Sequence, residues 1–325
     1  MISGKVTVQV PATSANLGPG FDTLGLALGL HDEVEVELFE PSGGSGSRSV
    51  VIEVDGEGAG ELDEGEGHLI VTTMRTTFDR MGLGQPPGIR LRCLNRIPHA
   101  RGLGSSSAAI CAGIIAARAL ATTPCQDGSA PAHRPGARPE FTDDEVFALA
   151  TEIEGHPDNV APCLAGGLTV AWTDGTGAPH LVRLLPHSDV RPVVLIPGYR
   201  LSTEVARGLL PKAVPHADAA ANAGRAALLV AALTARPEPE LLLAATEDRL
   251  HQDYRAPAMP LTADLVRRLR GAGVAAVVSG AGPTVLAFST VNTQDLIAAE
   301  VGNDWHIRPL DVETRGARVV SPETR

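Results

Sequence analysis

The densest chemical signal in the chain is Pro98-His-Ala-Arg-Gly-Leu-Gly-Ser-Ser-Ser-Ala-Ala109. Patterning places it between a strand and a helix. Gly102 and Gly104 let backbone N–H groups approach a ligand closely, and Ser105, Ser106 and Ser107 fall where the helix starts. Unpaired N–H groups and the positive dipole end favour a bound anion there. Serine hydroxyls in that place can also ligate Mg²⁺. The competing reading is a glycine-rich turn capped by Ser105. No standard phosphate motif fits, since Walker A needs a Gly-Lys-Ser/Thr that is absent, and Gly102-Leu-Gly104 runs into serines rather than completing GxGxxG. A G-x-S-x-G hydrolase elbow is missing from this loop too.

Two further segments hold polar groups between rigid turns. Pro11-Ala-Thr-Ser-Ala-Asn-Leu-Gly-Pro-Gly-Phe-Asp-Thr-Leu-Gly25 carries Asn16 and Asp22 in an otherwise apolar loop. Such a loop suits ligand positioning, or else a turn in which both side chains satisfy backbone donors. Ser279-Gly-Ala-Gly-Pro-Thr284, with Gly280 and Gly282, joins two C-terminal strands. By itself it is a glycine-rich connection.

The elements that must position these loops are legible from periodicity. Lys5–Val10, Glu33–Leu38, Val50–Val54 and Gly88–Asn95 read as strands, and His68–Met81 and Ser105–Ala121 as helices. Thr142 with Glu145 forms a capping box for a helix reaching about Gly155. Gly166–Trp172, Pro192–Ile196, Val274–Ser279 and Val285–Ser289 are expected strands. Helices are expected near Ala221–Leu233, Glu240–Gln252 and Thr262–Gly271. Pro41–Arg48 reads as a flexible connection, and the proline-rich 123–140 as a surface insertion. The class is α+β, divided into 1–172 and 173–325.

Composition narrows the function. Of 325 residues, 38 are acidic and 27 are Lys or Arg, a formal net charge of −11. An acidic chain repels nucleic-acid phosphate and anionic lipid, and 3% aromatic content disfavours stacking platforms. No stretch of 18 or more apolar residues and no CxxC pair occurs, so neither a bilayer span nor a zinc site is expected. Four scattered cysteines read as reduced thiols in a cytoplasmic protein.

Taken together, at these places and in this order, the three loops resemble the GHMP kinase superfamily. Within it, Pro11–Leu26 and Glu154-Gly-His-Pro-Asp-Asn-Val-Ala-Pro162 are similar to homoserine kinases. So are Leu201-Ser-Thr-Glu-Val-Ala-Arg-Gly-Leu-Leu-Pro211 and His251-Gln-Asp-Tyr-Arg-Ala-Pro-Ala-Met-Pro260. The resemblance covers nearly the whole chain. It implies a ribosomal protein S5 domain 2-like N-terminal domain, a ferredoxin-like C-terminal domain and a site in the cleft between them. It implies transfer of the γ-phosphate of ATP, with Mg²⁺, to the side-chain hydroxyl of L-homoserine on the way to threonine, and a possible homodimer. A mevalonate- or isoprenoid-type kinase and a non-catalytic nucleotide sensor are the rival readings.

The resemblance also implies roles. Asp22 would take the substrate ammonium, and Asn16 would bond near the reacting hydroxyl. Arg207 and Arg255 would hold the carboxylate or the transferred phosphoryl group, as guanidinium forks suit both. His156 and Thr203 would line the pocket, and either Asp158 or Asn159 would face the hydroxyl. Pro98, His99, Ala100, Arg101, Gly102, Leu103, Gly104, Ser105, Ser106, Ser107 and Ala108 would wrap the phosphates, with Ser106 and an acid of Thr151-Glu-Ile-Glu154 as Mg²⁺ ligands, Glu152 fitting the superfamily position better than Glu154. His68 departs from the family, which often has Asn there, near the adenine.

Overall fold

Strict alternation along the second strand, with Leu30, Val34, Val36 and Leu38 buried and acidic residues between them, makes one face of a sheet the core face. The computed structural model describes residues 4–41, 49–122, 141–289 and 294–320. The proposed insertion 123–140 and nearly all of the Pro41–Arg48 connection lie outside them.

In chain order the elements are β1 (Gly4–Ala15), β2 (Leu24–Phe39), β3 (Ser49–Gly56), α1 (Leu69–Arg80), β4 (Gly88–Asn95), α2 (Ser105–Thr122), α3 (Asp143–Glu154), α4 (Pro157–Ala165), β5 (Leu168–Thr173) and β6 (Pro179–Leu184). There follow β7 (Arg191–Pro197), α5 (Thr203–Gly208), α6 (His216–Thr234), α7 (Pro239–Ala245), α8 (Gln252–Arg255), α9 (Pro260–Gly271), β8 (Ala275–Val278), β9 (Val285–Ser289), α10 (Gln294–Glu300), β10 (Trp305–Pro309) and β11 (Arg318–Val320).

Two sheets result. The first runs β11-β1-β2-β4-β3, with β5 on the other end of β2 and β6 beyond it. The second runs β10-β7-β9-β8, the strand order of a ferredoxin-like βαββαβ unit. The expected cut after residue 172 passes inside β5, whose hairpin partner is β6, and β11 returns from the end of the chain to β1. The first sheet therefore draws on both sides of that cut.

α2 is apolar along its whole length, enough to cross a membrane by length and composition, where no such stretch was expected. Here it is packed among β1, α1, α3 and α4, with twelve of its residues buried. That position at the centre of the first core is the reason for its composition.

Three local readings change in the structure. Pro11–Ala15 is not loop: β1 continues through it, pairing Ala12–Ala15 with Leu28–Gly25 after a register shift at Pro11/Ala12. Proline cannot donate to the ladder, and the irregularity falls where it stands. The expected helix Glu240–Gln252 ends at Ala245 with α7, and α8 begins only at Gln252. Asp248 breaks it, accepting from the backbone N–H groups of Leu250, His251 and Gln252 at 2.8–3.1 Å. His156–Ala165, with no element expected, contains α4 with Pro157 at its first position.

The capping box at α3 is present in both directions, Glu145 N to Thr142 Oγ1 and Thr142 N to Glu145 Oε2. Thr142→Ala should cost about 1 kcal/mol of stability, read by urea unfolding, with no change in ligand affinity. An unchanged midpoint would show that the cap is redundant.

Candidate active site

The three loops singled out in sequence meet. Gly102 and Gly104 adopt φ of 76° and 71°, a region that favours glycine. Space demands glycine as well: a Cβ on Gly102 would overlap Ser279 O, and one on Gly104 would overlap Thr13 Oγ1. The phosphate-type loop is thus pressed between β1 and the 279–282 turn. Thr13 N donates to Leu103 O at 3.1 Å, and Ser279 Oγ donates to Gly102 O at 2.6 Å. Asn16 ties the remaining pair, donating from Nδ2 to Gly280 O at 2.9 Å.

Asn16 and Asp22 both hold left-handed backbone, φ 68° and 52°. Asn16 Oδ1 accepts from Asp22 N at 3.0 Å, so the Asn16 amide braces the loop at both ends. That brace aims the Asp22 carboxylate at α5, where Arg207 meets it with two hydrogen bonds of 2.7 and 3.2 Å. Burial pulls the Arg207 pKa down, but the Asp22 hydrogen bond and charge outweigh it and leave it raised.

A cavity of about 250 Å³ opens beside this pair, lined among others by Asn16, His99–Gly102, Ser105, Ser106, Glu154, His156, Asp158, Asn159, Thr203, Arg207, Arg255 and Gly280. Arg255 is 1% exposed, yet no carboxylate lies within ion-pair distance among the described residues. Burial and the neighbouring Arg207 charge lower its pKa. A buried cation without a counter-ion is costly, and it suits the binding of an anion.

Asp158 and Asn159 are both accounted for. Asp158, 1% exposed, accepts from His156 Nδ1 at 2.6 Å, and Asn159 Oδ1 accepts from Thr13 Oγ1 at 2.8 Å. Burial depresses the His156 pKa, but the Asp158 hydrogen bond and charge raise it above the ordinary 6.5 on balance. A raised pKa means the pair stabilises the fold fully below pH 6.5 and loses that contribution as pH rises through the raised value. Wild type should therefore out-melt His156→Gln most at pH 5.5–6.5, with the gap closing toward pH 9 in thermal scans. A gap that widens with pH would show the imidazole to be held neutral.

Glu152, expected from sequence as the metal carboxylate, does not face the serines and pairs with Arg80, both oxygens at 2.9 Å. Glu154 faces the serines instead, accepting from Ser106 Oγ at 2.9 Å and from Ser107 Oγ at 2.6 Å. Two residues along a helix turn about 200°, which puts Glu152 and Glu154 on opposite faces of α3. Two serine hydroxyls and one carboxylate form a hard-oxygen donor set that fits Mg²⁺ completed by substrate phosphates. No cluster of three or more His, Cys, Asp or Glu competes for a metal among the described residues.

A second cavity, about 270 Å³, shares His99, Ser105 and Ser106 with the first and is otherwise more apolar, with Val34, Leu62, Ala108 and Ala109 in its wall. His68 lines it. Its Nδ1 caps α1 by accepting from Ile70 N at 3.3 Å, which leaves Nε2 as the protonated nitrogen, buried and without a partner among the described residues. Burial lowers its pKa, so the ring is neutral. Asp32 in the same wall is pushed up to about 6 by burial, against the pull of the Arg96 and Ile97 backbone N–H groups.

The sequence reading assigned nothing to Phe21 and His251. The Phe21 ring lies 5.7 Å from the Arg207 guanidinium, 5.3 Å from that of Arg255 and 5.2 Å from the His251 ring. Both residues stand inside quoted motifs, and only their role was missing.

Comparison with known proteins shows the family. The family model of the GHMP kinases N terminal domain matches residues 68–167, and that of the GHMP kinases C terminal region matches 229–307. The homoserine kinase of Streptomyces coelicolor is 55% identical over 318 residues, covering 98% of this chain and 95% of that one. That of Clavibacter michiganensis is 50% identical over 321 residues, covering 97% and 94%. The crystal structure of homoserine kinase from Cytophaga hutchinsonii superposes with a TM-score of 0.75 at 26% identity, covering 97% of each chain. Mevalonate diphosphate decarboxylase from Staphylococcus aureus, at 14% identity and a TM-score of 0.66, shares the fold. With its two sheets, its three convergent loops and relatives of this identity along nearly its full length, the chain belongs to the homoserine kinase family of GHMP kinases.

Proposed function

We propose that the protein transfers the γ-phosphoryl group of ATP to the side-chain hydroxyl of L-homoserine, giving O-phospho-L-homoserine on the route to threonine. The observation that carries the choice of an amino acid is that Arg255, buried with no carboxylate partner among the described residues, lines one cavity with Arg207, which Asp22 holds in an ion pair. A zwitterion answers both: its ammonium pairs with Asp22, and its carboxylate with Arg207 and Arg255. Substrate binding then exchanges one ion pair for two, so little charge is left without a partner. Mevalonate has no ammonium and would leave Asp22 uncompensated.

On the nucleotide side, the apolar cavity next to α2 takes the base, with the neutral His68 Nε2–H as a donor in its wall. The triphosphate follows the Pro98–Ala108 loop, whose backbone N–H groups and the N-terminus of α2 meet its charge. Ser106 and Glu154 would hold Mg²⁺, which when bound neutralises charge on the phosphates.

Phosphoryl transfer passes through a loose transition state that needs alignment and charge neutralisation more than a base. Arg207, freed from Asp22, stands in the cavity shared by the phosphate loop and the acceptor. The reading includes no strict general base, since Asp158 is engaged by His156 and Asn159 by Thr13. Free, buried Cys93, Cys111 and Cys163 suit a reducing, cytoplasmic setting.

The test is an ADP-release assay with Mg-ATP, comparing L-homoserine, mevalonate, L-serine and L-threonine. Turnover confined to homoserine is expected. Turnover only with mevalonate would keep the phosphate site and overturn the amino-acid reading. ATP binding without turnover on any acceptor would favour a sensor.

A further inference from the structure

The Arg255 guanidinium is held by one of its three nitrogens. Nη1 donates to His251 Nδ1 at 3.2 Å and to Gly280 O at 3.2 Å, while Nε is buried with no partner among the described residues. The Nε–Nη2 edge, the side-on fork that takes a carboxylate in two parallel bonds, carries no hydrogen bond to the described residues. His251 is wholly buried. Its Nε2 lies 2.8 Å from Gly18 O, and a carbonyl can only accept, so Nε2 carries the proton. Nδ1 is then a lone pair, the form that can accept from a guanidinium.

The surroundings lock this tautomer. Asp248 Oδ1 is 3.8 Å from Nε2 on the same side as Gly18 O, and that carboxylate is itself fixed by three backbone N–H groups. The Phe21 ring packs at 5.2 Å from the imidazole, and the Arg255 charge faces Nδ1. A second proton would set an N–H against the guanidinium. Burial and Arg255 oppose it, Asp248 favours it, and the net is a pKa below the ordinary value.

We propose that His251 is a positioning residue for L-homoserine: as the Nε2–H tautomer it anchors Arg255 by Nη1 and turns the free Nε–Nη2 edge toward the substrate carboxylate. His251 thereby links the Gly18 turn of the first loop to the 280 turn of the third through Arg255. Without the lone pair at Nδ1, Arg255 keeps only Gly280 O and can rotate about its side-chain torsions. This inference rests on the proposed role of Arg255.

Two amide substitutions separate the halves of the imidazole. His251→Asn keeps an acceptor at the Nδ1 position and loses the donor to Gly18. His251→Gln keeps a donor near Nε2 and loses the acceptor for Arg255. The expected result in steady-state kinetics of the full chain is a homoserine KM raised about tenfold or more in His251→Gln. Its ATP KM should stay within about twofold, as the nucleotide cavity is untouched. His251→Asn should retain most of the homoserine KM even where its melting temperature is the lower of the two. Equal rises in both variants, or rises that follow melting temperature, would overturn the inference and leave His251 as packing.

Arg255→Ala, assayed in parallel, tells apart the two ways of failing. A wild-type homoserine KM in Arg255→Ala removes the carboxylate role of Arg255, and the positioning role with it. A raised KM there with an unchanged one in His251→Gln removes the positioning role alone. Should either amide variant fail to fold, ¹⁵N-histidine NMR of the wild-type protein still decides. An unprotonated His251 Nδ1 at neutral pH is expected, and a protonated one would refute the anchoring bond.

Discussion

Glu154→Gln is expected to lower kcat by roughly 10³-fold, while Glu152→Gln stays within about twofold of wild type. Glu154 is the acid that faces both serine hydroxyls at the start of α2, and Glu152 spends its charge on Arg80 at the surface. An amide in place of Glu154 still accepts a hydrogen bond but supplies no negative charge for Mg²⁺. The apparent Mg²⁺ requirement should rise with it, since metal affinity follows ligand charge. The surface pair costs little to remove, as exposed ion pairs contribute about 0–1 kcal/mol. The check is a Mg²⁺ titration of both variants at saturating ATP and homoserine. A large loss in Glu152→Gln with near-normal Glu154→Gln would restore the acid expected from sequence.

Arg255→Ala is expected to reduce kcat/KM for homoserine by about 10²–10³-fold. Removing one partner of a buried, hydrogen-bonded charge pair costs about 2–5 kcal/mol, and tenfold is about 1.4 kcal/mol. The free protein should be hardly less stable than wild type, because Arg255 is a buried charge with no counter-ion before substrate arrives. Arg255→Lys should fail to rescue: an ammonium cannot offer the two-nitrogen edge while also reaching His251 and Gly280. Kinetics and thermal melts of the three proteins test both halves. A variant that loses several kcal/mol of stability with unchanged homoserine kinetics would make Arg255 a structural residue.

Much of the site was legible in sequence because loops write their backbone needs into residue type. Glycines 102 and 104 announced a left-handed turn close to other atoms, and that turn is present. The capping box of α3 was readable because both partners lie within three residues. What failed was decided by pairing at long range. Pro11–Ala15 looked like loop because nothing local says that Leu28–Gly25 will pair with it. Glu240–Gln252 looked like one helix because capture of three amides by Asp248 competes with helical bonding only in the assembled fold. β6, β10 and β11 escaped notice as short strands whose pairing partners are set by the assembled sheets.

By itself the sequence determined which loops carry the site's chemistry and which family their motifs belong to, since those properties depend on side-chain chemistry and local torsions. Tertiary structure alone decided the rest. The rotation of α3 against α2 selects Glu154 over Glu152, the brace of Asn16 aims Asp22 at Arg207, and contacts across more than 230 residues set the His251 tautomer. The physical reason is common to all three. A hydrogen bond holds only over a few tenths of an ångström and a limited angle, and no spacing in the chain encodes that until the core has packed.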